Sequence, residues 1–128
     1  MSSDLPPEIR RFISQYLRSV EQLEILLLVS RGGDSAWSVQ SVYDVILSSK
    51  ASVERWLEVF AELGFLQKIQ EGPTTTYRFT ATGEKAAIVQ RLDALYKLKP
   101  VRILEAIFKK DQDPAQSFAD AFKLRKQP

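Results

Sequence analysis

Residues 37–64, WSVQSVYDVILSSKASVERWLEVFAELG, predict two short helices separated by a polar turn. Ser38 is a favourable N-cap for the first helix, because its hydroxyl can accept a hydrogen bond from an unpaired backbone amide. The apolar residues that follow it at helical spacing are Val42, Val45 and Ile46. Residues 47–49, Leu-Ser-Ser, form the turn. Gly64 suits the left-handed conformation that ends many helices, so the second helix is predicted to stop there.

The second of these helices has one apolar and one charged face. The inward face is predicted to carry Val53, Trp56, Leu57, Phe60 and Leu63. The outward face carries Glu54, Arg55, Glu58 and Glu62. Trp37 joins Trp56, Phe60 and Leu63 in the predicted core. Replacing Trp56 by Ala is expected to cost about 3 to 5 kcal/mol if that side chain is fully buried.

Two strands are predicted directly after this helix pair. Residues 65–70, FLQKIQ, and residues 74–80, TTTYRFT, are rich in β-branched and aromatic side chains, and residues 71–73, Glu-Gly-Pro, separate them. An isolated two-stranded hairpin is only marginally stable in water. The side chains expected to pack on the helices are therefore Phe65, Ile69, Tyr77 and Phe79.

Two helices are predicted before residue 37. Asp4 is the expected cap of the first, whose opening turn holds Pro6 and Pro7. Its apolar stripe is Ile9, Phe12, Ile13, Tyr16 and Leu17. Ser19 and Gln22 have the spacing of a capping box for the next helix. That helix is apolar almost all round, which is typical of the buried centre of a domain.

Three further helical segments are predicted at the C-terminal end. Residues 83–99 form the first, and Pro100 either kinks it or begins a separate helix over residues 101–109. The apolar positions are Ile88, Leu92, Leu95 and Tyr96, followed by Ile103, Leu104, Ile107 and Phe108. Asp113 caps a last short helix with Phe118, Ala121 and Phe122 inward. The chain ends in a basic tail of Lys123, Arg125 and Lys126.

Residues 38–66, which end in the sequence ELGFL, resemble the helix-turn-helix of winged-helix transcription regulators of the broad MarR, PadR and ArsR kind. The resemblance implies a mainly α fold with a small β-hairpin as the wing, an N-terminal helix and a C-terminal helical extension. Residues 1–18 would be the N-terminal helix, residues 19–82 the winged helix-turn-helix core and residues 83–128 the extension, all in one compact domain.

The same resemblance implies a set of residues for contact with double-stranded DNA. In this fold the second helix of the motif enters the major groove with its N-terminal residues. The residues expected to contact nucleic acid are Ser49, Lys50, Ser52 and Arg55 from this helix and Lys68 and Arg78 from the wing. Ser49 would act both as helix cap and as phosphate donor. The alternative is that these residues form an ordinary solvated surface, since caps and turns also need serine.

The charge distribution opposes DNA binding. The net charge is +2, but residues 21–64 hold seven acidic against three basic side chains, a net charge of −4, whereas residues 81–128 sum to +4. Glu54, Glu58 and Glu62 recur every four residues along the outward face of the second helix. A DNA reader must instead bring cations to the phosphates.

A winged helix used for protein interaction or dimerisation, without DNA binding, is therefore the competing hypothesis. Residues 83–126 offer more apolar surface than a minimal winged helix needs. The resemblance also implies a homodimer held by the N- and C-terminal helices, which would place two recognition helices about one DNA turn apart. The alternative for these helices is that they simply cover the core of their own domain.

An enzyme is not expected. The chain has neither His nor Cys, which excludes a Ser-His-Asp triad, a Cys nucleophile and an imidazole or thiolate metal site. No cofactor-binding motif is present, so no cofactor is predicted. The longest apolar run is residues 25–29, far short of a membrane span, and the N-terminus has no apolar signal core. A cytoplasmic protein without membrane contact is the resulting expectation.

Overall fold

The computed structural model describes residues 5–112, and within them two compact units: residues 21–94, and residues 5–20 together with 95–112. The elements in chain order are α1 (Pro7–Tyr16), α2 (Val20–Arg31), β1 (Ala36–Trp37), α3 (Val39–Ile46), α4 (Lys50–Glu62), β2 (Leu66–Glu71), β3 (Thr74–Phe79), α5 (Gly83–Leu98) and α6 (Pro100–Gln112). Asp4, the predicted helix from Asp113 with Phe118, Ala121 and Phe122, and the basic tail lie outside the described residues. The predicted boundaries at residues 18 and 82 stay a prediction.

The unit of residues 21–94 contains a helix-turn-helix formed by α3 and α4. Ser38 caps α3 as predicted, with its hydroxyl accepting from the Ser41 amide while the Ser41 hydroxyl accepts from the Ser38 amide. Leu47 ends α3 in the left-handed conformation at φ 61°. Gly64 has φ 90° after α4, which is the left-handed stop that the sequence predicted.

The predicted hairpin is present and belongs to a three-stranded antiparallel sheet in the order β1-β3-β2. Lys68 lies opposite Tyr77, and Gln67 lies opposite Arg78. The two-residue strand β1 adds Trp37 opposite Tyr77 on the other side of β3. Sequence patterning did not predict β1, because two residues are too few to show a period. The fold is mainly helical with this small sheet, as the sequence indicated.

α2 is the buried centre of its unit, as predicted. Its fully buried side chains are Leu23, Ile25, Leu26, Leu27 and Val29. Around it, the fully or almost fully buried residues are Val42, Val53, Leu57, Phe60, Phe65, Tyr77, Val89 and Leu92. Burial is incomplete for several predicted core residues, since Trp37, Trp56, Leu63, Ile69 and Phe79 are only half-buried and Val45 is exposed.

The other unit joins α1 and α6, which contact each other. α1 begins at Pro7 with Pro6 in the cap position and no side-chain cap. The predicted stripe of α1 is buried except for half-buried Tyr16. Pro100 begins a separate helix, the second of the two predicted outcomes. Of the apolar positions on α6, Ile103 and Ile107 are buried, whereas Phe108 is exposed.

Candidate nucleic-acid interface

The candidate interface is centred on the turn between α3 and α4. Ser49 is the N-cap of α4, and its hydroxyl accepts a hydrogen bond of 3.1 Å from the Ser52 amide. This bond satisfies one of the donors that a helix leaves free at its N-terminus. The capping role predicted for Ser49 is therefore present, and its exposed side chain lies at the surface of the turn.

The carboxylate of Glu21, in the first turn of α2, binds three donors from the turn and α4. The Ser52 hydroxyl donates to it at 2.7 Å and the Ser48 hydroxyl at 2.5 Å. The Trp56 indole N–H donates to the same carboxylate at 3.3 Å. Glu21 thus holds the start of α4 against α2. We call Glu21, Ser48, Ser52 and Trp56 the Glu21 cluster.

Lys50 and Arg55 are exposed on α4. The Lys50 ammonium lies 5.8 Å from the centre of the Tyr43 ring, and the Arg55 guanidinium lies 5.9 Å from that of Trp56. Each distance falls within the range of a cation–π contact, which is a weak restraint at an exposed site. Both cations therefore remain available to a ligand on this surface.

A second cluster connects α4 to the hairpin. Glu58 forms an ion pair of 2.8 Å with Lys68 of β2 and accepts a hydrogen bond from the hydroxyl of Tyr77 in β3. The hydrogen bond from the Lys68 ammonium, as the largest cause, and then that from the Tyr77 hydroxyl hold the pKa of the Glu58 carboxyl below its ordinary value. Burial, with Glu58 as the second cause, raises the pKa of Tyr77. Of the three acidic residues on the outward face of α4, Glu58 is therefore bound to two side chains of the hairpin.

The two cations predicted for the wing lie on opposite faces of the hairpin. Lys68 lies opposite Tyr77 in the sheet, and both side chains reach Glu58 of α4. Arg78 is one residue further along β3, so its side chain points to the other face. Arg78 donates a hydrogen bond of 3.1 Å to its cross-strand neighbour Gln67. One flat partner surface cannot meet both cations in this arrangement. Ser49, Lys50, Ser52 and Arg55, by contrast, follow one another along the start of α4.

The Glu21 and Glu58 contacts were not predicted from the sequence. Glu21 is 31 residues from Ser52 and 35 from Trp56, and Glu58 is 19 from Tyr77. Helical periodicity reports the face of one element and carries no information about side chains that meet across elements. Glu54 and Glu62 remain as exposed carboxylates on the outward face of α4.

Replacing Glu58 by Gln should make the free energy of unfolding less dependent on pH in the acidic range. A carboxyl with a lowered pKa stabilises the fold above its ordinary pKa of 4.5, and this contribution is lost as pH falls through the lower value in the folded state. Because the pair with Lys68 is half-exposed, we expect the variant to lose about 0.2 to 1 kcal/mol near neutral pH. Urea unfolding at a series of pH values measures both the loss of stability near neutral pH and its dependence on pH.

The matched control for this prediction is Glu62→Gln, an exposed carboxylate on the same helix. It removes the same charge without breaking the contact with Lys68. A difference between wild type and Glu58→Gln that stays constant from neutral pH to about pH 3, below the ordinary range of a carboxyl, would contradict the expected linkage.

Comparison with solved structures identifies similar folds. A mutant of ZitR from Lactococcus lactis superimposes with a TM-score of 0.54 at 16% identity, covering 89% of this chain and 79% of that one. A MarR family protein from Bacillus stearothermophilus superimposes with a TM-score of 0.52 at 13% identity, covering 94% of this chain and 81% of that one. BpsR from Bordetella bronchiseptica, whose DNA binding is regulated by 6-hydroxynicotinic acid, has a TM-score of 0.50 at 15% identity, covering 94% of this chain and 86% of that one.

No protein-family model and no curated protein sequence matches the chain. The similarity to solved structures therefore stands on the fold, which is that of a MarR-like winged helix. In that fold α3 and α4 are the helix-turn-helix and β2 and β3 form the wing. None of the helices among residues 5–112 combines the length and the apolar character that a membrane span needs.

Proposed function

We propose that this chain is a transcription regulator that binds double-stranded DNA through the N-terminal end of α4. The observation that carries the proposal is the capped start of this helix, which presents Ser49, Lys50 and Arg55 at the surface with both cations exposed. A helix N-terminus of this kind can enter the major groove, where side chains meet base edges and phosphates. The MarR-like fold supports the assignment by analogy.

The proposal includes a limited role for the wing. Lys68 is engaged by Glu58, so it contributes less positive potential than a free lysine. Arg78 is held by a neutral side chain, Gln67, and keeps its charge for a phosphate. We therefore assign the predicted wing contact to Arg78 in preference to Lys68. No cofactor is required for this function.

Fluorescence anisotropy with a labelled random duplex over a salt series tests the proposal. Binding should weaken steeply with salt, with a slope of log affinity on log salt of about −0.9 for each phosphate engaged. Absence of binding at about 20 mM salt, where electrostatic attraction extends over more than 20 Å, would overturn it. Affinity that does not change with salt would do the same.

We also propose a homodimer that uses the N- and C-terminal helices. Leu98, Val101 and Phe108 are 76%, 62% and 51% exposed. Val101 and Phe108 are seven residues apart on α6 and share one face with half-buried Leu104. An exposed apolar stripe of this kind is a common feature of protein interfaces. A twofold dimer would also bind two half-sites about one helical turn apart.

Replacing Val101 by Glu should convert the dimer into a monomer. The change places a charge within the apolar stripe, where burial without a partner is costly. Light scattering after size exclusion should give twice the 14.6 kDa chain mass for the wild type and that mass for the variant. The matched control is Arg102→Gln, which alters an exposed charge on the same helix about 100° round its axis from Val101. A wild-type mass of one chain at micromolar concentration would contradict the proposed dimer.

A protein-interaction module without DNA binding is the second candidate. Val45 and Leu47 are exposed at the end of α3, beside the turn that would face DNA, and Glu54 adds a negative charge there. An apolar and acidic surface fits a protein better than a polyanion. The salt series separates the two candidates, because only the DNA-binding regulator shows salt-dependent affinity for the duplex.

A further inference from the structure

The Glu21 cluster places a chemical restriction on two of the serines at the candidate interface. A serine hydroxyl has one proton to donate and two lone pairs that accept. A carboxylate can only accept, so the protons in the contacts with Glu21 must come from Ser48 and Ser52. With those protons engaged, both oxygens face any other partner as acceptors only.

Ser49, between them in sequence, differs in this respect. Its oxygen accepts from the Ser52 amide, and among residues 5–112 its hydroxyl proton has no assigned acceptor. Ser49 can therefore still donate to a phosphate oxygen. The three serines are alike in sequence but unlike in hydrogen-bonding capacity.

We infer that Ser52, with Ser48, reads the exocyclic amino group of adenine or cytosine in the major groove, because Glu21 holds their hydroxyl protons. This inference rests on the proposed DNA-binding function. In the major groove only the adenine N6 and cytosine N4 amino groups are donors, whereas guanine and thymine present acceptors and a methyl group. Phosphate oxygens are acceptors as well, so neither serine is suited to a backbone contact. Donation to Glu21 also polarises each hydroxyl and makes its oxygen a better acceptor.

Glu21 is a positioning residue in this scheme, since it acts on DNA through the two serines. Its third donor, the Trp56 indole N–H, lies one turn beyond Ser52 on α4 and helps to fix the carboxylate. The preference is thus set by a residue of α2 that need not touch the DNA. A loss of Glu21 should change which bases are tolerated, and not only how tightly DNA is held.

The test begins with selection of duplexes from a random pool by the wild-type protein. In the selected sequence, each adenine is replaced in turn by purine, which lacks the N6 amino group, and each cytosine by the analogue without the N4 amino group. At one or two positions the affinity should fall by about 2- to 12-fold, the range of a single hydrogen bond. In Ser52→Ala or Ser48→Ala, one of these positions should become insensitive to removal of the amino group.

Glu21→Gln provides a second measurement. The Gln side chain has an amide donor as well as an acceptor, so it releases the proton of one serine. Reversal of the base pair, which puts guanine or thymine on the strand where an amino group was required, should then be tolerated. Glu62→Gln, which removes the same charge at the far end of α4, should leave the base preference as in the wild type. Thermal melting of each variant separates these effects from loss of folding.

Three outcomes overturn the inference. The first is that no amino-group removal, on either strand, weakens binding by the wild type. The second is that amino-group removal weakens wild type and Ser52→Ala equally, and the third is that the wild type binds duplexes without any preference. In these cases DNA binding itself persists, so the proposed function stands. If the wild type binds no duplex at low salt, the proposed function fails first and the inference fails with it.

Discussion

Replacing Phe60 by Ala should lower the free energy of unfolding by about 3 to 5 kcal/mol, the usual cost of removing a buried aromatic ring. Phe60 is fully buried on α4, and its ring lies edge-on to that of Phe65 with 6.1 Å between centres. This geometry adds to the stabilisation from burial. The loss is a large fraction of the stability of a small domain. Urea unfolding followed by circular dichroism measures it.

The matched comparison is Trp56→Ala on the same helix. The expectation of 3 to 5 kcal/mol for Trp56 depended on full burial, and the structure leaves this side chain half-buried. Its truncation should therefore cost less than that of Phe60, although its hydrogen bond to Glu21 is lost as well. An equal or larger loss for Trp56→Ala would contradict this order and show that Phe60 is not the main anchor of α4.

The sequence was sufficient to predict which side of α4 faces inward. Val53, Leu57 and Phe60 lie along the centre of the apolar face and are fully buried. Trp56 and Leu63 lie at the edges of that face, where burial depends on what the neighbouring elements supply. Periodicity gives the direction of a side chain and not the extent of the surface that it meets. The same reason explains the exposure of Val45 at the end of α3.

The loop and cap chemistry was also accessible from sequence, because it is local. Ser38 and Ser49 are caps, and Gly64 takes the left-handed conformation. Leu47 shows where local rules end. It adopts φ 61° although its side chain has no preference for that region, so the turn between α3 and α4 is held by its surroundings. Glu21, which binds Ser48 in that turn, is one such contact.

Electrostatics was the least predictable part of the candidate site. Segment charges count every ionised group equally, whereas the structure pairs some of them and leaves others free. Glu58 forms an ion pair with Lys68, so the field of this carboxylate on α4 and that of this cation on the wing partly cancel. The net charge of the surface is unchanged by this pairing, but its distribution is not. The exposed charges of α4 are then two cations, Lys50 and Arg55, and two carboxylates, Glu54 and Glu62.

Removing both of these cations gives the largest expected change in DNA binding. We expect the double variant Lys50→Ala, Arg55→Ala to bind its selected duplex about 10- to 1000-fold more weakly than the wild type. An arginine contact with a base edge contributes about 1 to 3 kcal/mol of binding free energy, and each lysine contact with a phosphate adds about one unit to the salt slope. Anisotropy titrations at several salt concentrations measure both effects.

The single variants should separate the two roles. Lys50→Ala is expected to reduce the salt slope and to weaken all duplexes alike, because a phosphate contact carries no sequence information. Arg55→Ala is expected to weaken the selected duplex more than a random one. Each variant also loses one cation–π contact, with Tyr43 or Trp56. At exposed sites such contacts contribute only about 0.5 to 1 kcal/mol, so thermal melting should show folded proteins.

A charge-matched control is available at Lys99, which directly precedes α6, and Arg102 of α6, both in the other unit. The double variant Lys99→Ala, Arg102→Ala removes the same net charge of two, and the Arg102 ion pair that it breaks, with Glu105, is exposed and weak. If it weakened DNA binding as much as the change at Lys50 and Arg55, affinity would follow total charge and the site on α4 would be wrong. Wild-type affinity in the control, with a large loss in the α4 variant, requires contact at α4. Because Glu54 lies beside both cations, that result would also mean that their attraction for phosphate exceeds its repulsion at this end of the helix.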